Sequence, residues 1–289
     1  MNKKIFTLIH PTKDTNSYNW SFWDDRALVR VESKNYKSKI VEYKFDYKKK
    51  TLTNPKTILE DPYFSLEDPR LISKNSFTYV KYDRKKIECH FMKDDQPLTN
   101  GHEWQKNWQY INEEKYFYRI KPLIIKGPNY KKRVNYNLKW KYGDKLHLSS
   151  NMFEIDERQF IIFHSFKGAT VNTRKYYQGI MELEDLKPKF YVPKPLFYPP
   201  TKTNPLKFKK NKNKCVFVMC ARPIKNELYI TAGTNDCECT LITIPVKEFI
   251  RWVDKNKDFI EEITPTNPTN GLREYQNFYR LNNENIFSP

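Results

Sequence analysis

The sequence predicts an all-β protein with one helix near its end, and three observations predict it. Short segments rich in aromatic and β-branched residues recur along the chain, often alternating apolar with polar, with Asp, Asn, Lys or Pro turns between them. Aromatic residues make up 16% of the chain against only 7 glycines, a composition that suits strands and argues against disorder. A helical apolar period stands out in one late stretch. At 289 residues the chain has length for one large all-β domain or two ordinary ones.

In order, "ALVRVES" (27–33) and "KIVEYKFD" (39–46) read as the first hairpin. In "SLEDPRLI" (65–72), Pro69 pushes the preceding Asp68 toward extended backbone at the start of a strand. Arg70 would then share a face with Asp68. "SFTYVKYD" (76–83), "KIECHFMK" (86–93) and "YFYRIKPLIIK" (116–126) follow, then "NMFEID" (151–156), "QFIIFHSF" (159–166) and "YYQGIMELE" (176–184). "CVFVMCARP" (215–223), "ELYITAGT" (227–234) and "CTLITIPV" (239–246) complete the series, whose spacing implies a sandwich, barrel or propeller. "VKEFIRWVDKNKDF" (246–259) sets Val246, Phe249, Ile250 and Val253 on one helical face, which predicts a helix packed on the sheets. The proline- and lysine-rich stretch 194–214 reads as a long exposed loop inside one domain, and the polar tail from about 263 as a surface wrap.

The formal charge of +18 invites a nucleic-acid reading. However, 40 lysines stand against 12 arginines, spread along the chain with only short concentrations at "YKKK" (47–50) and "KFKKNKNK" (207–214). Such a field aids solubility and attracts anions of many kinds, so nucleic acid is not the expected partner. The five cysteines (Cys89, Cys215, Cys220, Cys237, Cys239) are an odd number and lack zinc-site spacing, which predicts reduced thiols, a cytoplasmic location and no metal. "MNKKIFTLIHPT" is too short in apolar residues for a signal peptide, and no run approaches the ~18 needed to span a bilayer.

Four polar signatures fall at strand ends. Glu67-Asp68-Pro69-Arg70 sets a carboxylate beside a guanidinium, or forms a turn with a surface ion pair. "HEWQKNW" (102–108) offers aromatic faces for a sugar ring with Lys106 and Asn107 as donors, or is a packing motif. His164 ends the apolar strand "FIIFHSF", as a ligand or as a satisfied core residue. Asn235 and Asp236 sit in a tight turn after a strand, which by itself reads as a hairpin. The sequence has no Gly-rich phosphate loop, nucleophile elbow or His-x-x-x-His pair, so kinase, triad-hydrolase and zinc-protease chemistry drop out, and no cofactor is expected.

Taken together, these signatures resemble the five-bladed β-propeller proteins of glycoside hydrolase family 130, the β-mannoside phosphorylases and their relatives, over roughly residues 20 to 246. Glu67-Asp68-Pro69-Arg70 resembles the family's "EDPR", Gln105-Lys106-Asn107-Trp108 its "EKNW", Phe163-His164-Ser165 its strand-ending "HS", and Ala232 to Asp236 its late "YGxxD" turn. The resemblance implies a single five-bladed propeller over 1–289 that makes or breaks glycosidic bonds, those of mannosides first, with Asp68 as general acid or base. It implies sugar contacts from Glu67, Arg70, Lys106, Asn107, Trp108, His164, Asn235 and Asp236. The second substrate would be inorganic phosphate or a sugar nucleotide, no membrane being involved, with Arg119, Lys121 and Arg174 as phosphate ligands. Two departures stand out: Glu32 of "VESKNY" (31–36) occupies a position where relatives carry arginine, and His147-Leu148-Ser149 replaces a cationic "RGG". These losses leave open a glycan-binding propeller with altered catalysis, or an anion-binding protein on the same scaffold.

Overall fold

Alternating side chains give each hairpin one face that must leave water, and the chain buries these faces by stacking one antiparallel sheet on the next. The computed structural model describes residues 1–10, 12, 14–35, 37–82, 87–94, 96–97, 107–170, 173–201 and 215–263. After β1 (Lys4–Ile9), the first blade is β2 (Thr15–Trp23), β3 (Arg26–Ser33), β4 (Ser38–Asp46) and β5 (Thr51–Leu59). The second is β6 (Ser65–Leu71), β7 (Ser76–Tyr82), β8 (Ile87–Lys93) and β9 (Gln96–Pro97). The third is β10 (Gln109–Tyr110), β11 (Tyr116–Arg119), β12 (Leu123–Gly127) and β13 (Tyr130–Val134), followed by β14 (Tyr136–Asn137).

In the fourth blade, β15 (His147–Leu148) and β16 (Phe153–Ile155) both pair with β17 (Arg158–Lys167), which continues into β18 (Lys175–Glu184) and β19 (Lys187–Tyr191). The fifth blade is β20 (Val216–Ile224), β21 (Glu227–Thr234) and β22 (Glu238–Pro245), and β1 completes it by pairing with β22 from Lys4↔Thr243 to Ile9↔Cys239. The two distant parts of the chain thereby close a five-bladed propeller. Helix α1 (Val246–Asn256) follows, then β23 (Asp258–Phe259) on the edge of β19 and β24 (Glu261–Glu262) against β14.

The cores lie between neighbouring blades. Leu28, Ile40, Leu66 and Phe77 join blades one and two; Trp20, Phe22, Cys220 and Leu241 join one and five. Phe117, Ile125, Ile161 and Phe163 join three and four. Between four and five, Phe160, Ile180, Val218 and Ile244 pack with Phe249 and Val253 of α1. The helical face expected from the sequence is the buried one, and Val246 and Ile250 pack partly against the same cluster. Burying a side chain such as Phe249 is worth about 1.5–3 kcal/mol.

Two readings need correction. "YFYRIKPLIIK" is two strands, β11 and β12, because the chain turns back at Ile120–Pro122; Pro122 has no N–H to give to a continuing ladder. Asp68 is not extended: its φ is 50°, inside a register break of β6 between Glu67 and Arg70. The lysine run 207–214 and the tail from 264 lie outside the described residues.

All five cysteines are free and buried. Burial pushes the Cys89 thiol from 9.0 up to about 12. The folded state therefore keeps a proton that the unfolded chain loses across that interval, and stability falls as pH rises from about 9 to 12. In urea titrations across this range, Cys89→Ala is expected to show a shallower fall than the parent chain; an unchanged slope would show that Cys89 does not contribute.

Candidate active site

In an antiparallel sheet a bulge bends the strand and re-aims one side chain, and here the first strands of the blades bulge at one level. Register breaks fall at Asn19 in β2, Asp68 in β6 and Met219 in β20. In blade four the N–H groups of Ser149 and Ser150 both donate to the Ile162 carbonyl. Asn19 and Asp68 have φ of 51° and 50°, and Asn107, just before β10, has 69°. Asn and Asp are the non-glycine residues that best tolerate this left-handed region.

At the blade one–two seam the bulges assemble a charged cluster. Asn19 Nδ2 donates to Asp68 Oδ1 at 2.7 Å. Arg30, on β3, donates through Nη2 to Glu67 Oε1 at 2.6 Å and through Nε to Ser38 Oγ at 2.9 Å. Its guanidinium also lies 3.8 Å from Asp68 Oδ1 and 3.8 Å from Glu32 Oε1, over the Tyr18 ring at 4.7 Å. The Tyr18 hydroxyl donates to Glu32 Oε2 at 3.2 Å. Burial works against the charge of Arg30, but Glu67, Tyr18, Glu32 and Asp68 outweigh it and hold its pKa above the ordinary guanidinium value. Burial raises the Tyr18 pKa well above 10.0, reinforced by Glu32, Asp236 and Glu67 against the opposing pull of Arg30. Gly233 makes room for this arrangement, since a Cβ there would lie 2.1 Å from Asn19 Oδ1.

The facing wall, from blades four and five, is aromatic. His164 stacks on His147 with centroids 5.1 Å apart and packs against Phe217 at 4.8 Å and Tyr176 at 5.8 Å. Gln178 Nε2 donates to the Val216 carbonyl at 2.7 Å, which turns Gln178 Oε1 to accept from Ser149 Oγ at 3.0 Å. Ser149 Oγ, its own proton given to Gln178, then accepts from His164 Nδ1 at 2.8 Å, which assigns a proton to Nδ1. Asn235 and Asp236 lie in the β21–β22 turn, where Asp236 Oδ1 accepts from Cys215 Sγ at 3.4 Å and its charge acts on both Tyr18 and Tyr176.

The structure thus gathers Glu67, Asp68, His164, Asn235 and Asp236 at one end of the axis, the end where the first strands of the blades begin. Arg70 departs from its expected place beside Asp68. It is buried and spans the axis, donating through Nη1 to the carbonyls of Ser149 and, at 3.0 Å, Met219. Trp108 packs inside blade three, stacked on Tyr116 at 4.7 Å. Asn107 Oδ1 is buried without a hydrogen-bond partner, and Lys106 lies outside the described residues. Arg119 and Lys121 flank the β11–β12 turn at the same end, and Arg174 lies over Phe166 at 4.4 Å. Tyr18, Asn19 and Arg30 escaped the sequence reading; the one signal for Tyr18 and Asn19 is the run Asn16 to Asn19, in a strand that is buried throughout that run.

Among the described residues no group of three His, Cys, Asp or Glu side chains is placed to hold a metal ion. Two surface cavities, of about 420 and 490 Å³, lie elsewhere, one beside α1 at Trp252 and one at Arg26 and Glu42. Neither touches Asp68.

No known family profile and no curated protein matches the sequence. Solved structures do match. The β-1,2-mannobiose phosphorylase of Listeria innocua, in complex with β-1,2-mannobiose, is 12% identical, with a TM-score of 0.60 over 89% of this chain and 100% of that one. A structure from glycoside hydrolase family 130, described as mannoside phosphorylases that include hydrolases targeting β-1,2-mannosidic linkages in Candida mannan, gives 10%, 0.56, 83% and 92%. A mannose phosphorylase of Leishmania mexicana in complex with phosphate gives 14%, 0.50, 92% and 95%. At these identities the likeness establishes the fold.

Arg30→Met is expected to leave Glu32, Glu67 and Asp68 buried without their shared cation. Urea denaturation should show a loss of about 3–5 kcal/mol, partly restored by adding Glu67→Gln. An unchanged midpoint would show that the carboxylates are hydrated rather than held by Arg30.

Proposed function

We propose that the chain forms or cleaves glycosidic bonds, those of mannosides, at this axial site with Asp68 as general acid or base. One observation carries the reading. Among the described residues every bond to Asp68 falls on Oδ1, from Asn19 and Arg30, so the carboxylate is fixed by one oxygen while Oδ2 is left to exchange a proton with a glycosidic oxygen. Glu32 and Glu67 add negative charge to the same wall, which favours an oxocarbenium-like transition state. Tyr176 and Phe217, both half-buried, offer aromatic surface to the apolar side of a pyranose, with His164 packed behind them. The fold shared with mannoside phosphorylases supports mannose as the sugar and inorganic phosphate as the acceptor of the glycosyl unit; a transferase would instead take that unit from a sugar nucleotide as donor and release the nucleotide.

A second reading rests on Glu32. In place of the cation expected there, the chain carries a carboxylate that helps neutralise Arg30, an arrangement suited to a glycan-binding propeller without turnover. Product analysis by mass spectrometry separates the two, using manno-oligosaccharides with phosphate in one set and GDP-mannose in another. Sugar phosphate or an extended chain is expected from the parent protein. Asp68→Asn should lower the rate by about 10²–10⁴-fold with the thermal midpoint nearly unchanged. Full activity in that variant would remove Asp68 from the chemistry; binding without turnover in the parent protein would favour the second reading.

A further inference from the structure

The blade-four side of the rim collects cations that the Asp68 chemistry does not use. Lys167 and Lys175, both exposed, are direct cross-strand partners at the loop end of the β17–β18 hairpin, an arrangement that like charges disfavour. Arg174 adjoins them on the same hairpin. Lys141 and Lys145 come from the preceding segment, held against the hairpin by Ser165 Oγ donating to the Tyr142 carbonyl at 2.8 Å. Gly143, with φ 131°, allows that approach, since a Cβ there would lie 2.5 Å from the Phe166 carbonyl oxygen. Across residues 139–149 and 164–178 the sequence has one carboxylate, Asp144. Elsewhere at this end of the propeller, Lys34 pairs with Asp14, Lys39 with Glu60 and Lys81 with Asp61.

The patch is continuous with the candidate active site. Arg174 lies over Phe166, Phe166 stacks on His147 at 6.0 Å, and His147 stacks on His164, so a stair of rings descends from the cations to the aromatic wall facing Asp68.

We propose that the rim at Lys141, Lys167, Arg174 and Lys175 binds an anionic group carried by the glycan itself, a phosphoryl or carboxylate substituent on a unit beyond the one at Asp68. The proposal rests on the glycan reading given above. Continuity with the funnel favours a glycan over nucleic acid, because the cations border the funnel mouth on one blade and lead into it. Exposed charges of this kind act within about 8–10 Å and weaken with salt.

The test is calorimetric binding of three probes to the full chain: a neutral manno-oligosaccharide, the same backbone bearing phosphate, and a mannuronate oligosaccharide of equal length. Preference for at least one anionic probe by about tenfold at low salt is expected, shrinking as salt rises. Lys167→Gln with Lys175→Gln should cut that preference to within about twofold while leaving affinity for the neutral probe unchanged. Whichever anionic probe is preferred identifies the substituent. Equal affinity for all three probes in the parent chain would overturn this inference and leave the glycan reading standing, whereas absence of binding by every probe would overturn both. Tighter binding of single-stranded DNA than of any glycan, lost in the same double variant, would assign the patch to nucleic acid and overturn the inference.

Discussion

Burying a carboxylate near the axis of a propeller is costly without a cation beside it. Arg30 is that cation, and the local structure follows from it. Three carboxylates converge on one guanidinium, Ser38 takes its remaining Nε–H, and the Tyr18 ring lies beneath it. With the charge of Asp68 met from one side, Asn19 fixes the same oxygen from another, and Gly233 gives Asn19 the space to do so. Five residues from blade one, two from blade two and one glycine from blade five make up the arrangement around this carboxylate.

The two buried arginines of the centre are held differently, and the difference separates their roles. Arg30 is surrounded by carboxylates, whereas Arg70 meets backbone carbonyls from blades four and five, and burial lowers its pKa. Arg30 belongs to the chemistry of the wall. Arg70 ties three blades together under it, with Gln109 of blade three donating to the same Ser149 carbonyl at 3.0 Å. The net charge of +18 is therefore a poor guide to the site, whose seam between blades one and two carries more acids than bases.

What could be read from the sequence follows the physics of each feature. Alternation announced the longer strands, among them β3, β4, β7, β8, β17, β18 and β20 to β22, but not β13 or β19, and the helical period announced α1, because burial of one face is written locally. β1, β2 and β5 were passed over, since Asn, Ser and Lys interrupt their patterns and their burial depends on blades distant in sequence. Glu67-Asp68-Pro69-Arg70 was read with Asp68 on extended backbone, whereas Asp68 sits in a register break with φ of 50°, which the Asp-Pro step alone does not announce. Arg30 and Asn19 could not be found from local pattern, as their partners lie 37 and 49 residues away. The sequence offered Trp108 as a sugar platform but gave no sign of its stacking on Tyr116 within blade three.

The most direct measurement is a crystal structure of the chain soaked with a mannose disaccharide. The account predicts the sugar in the axial funnel, one ring against Tyr176 or Phe217, and the glycosidic oxygen within hydrogen-bond distance of Asp68 Oδ2. A disaccharide bound away from the axis, or one seated in the funnel with Asp68 beyond its reach, would contradict it.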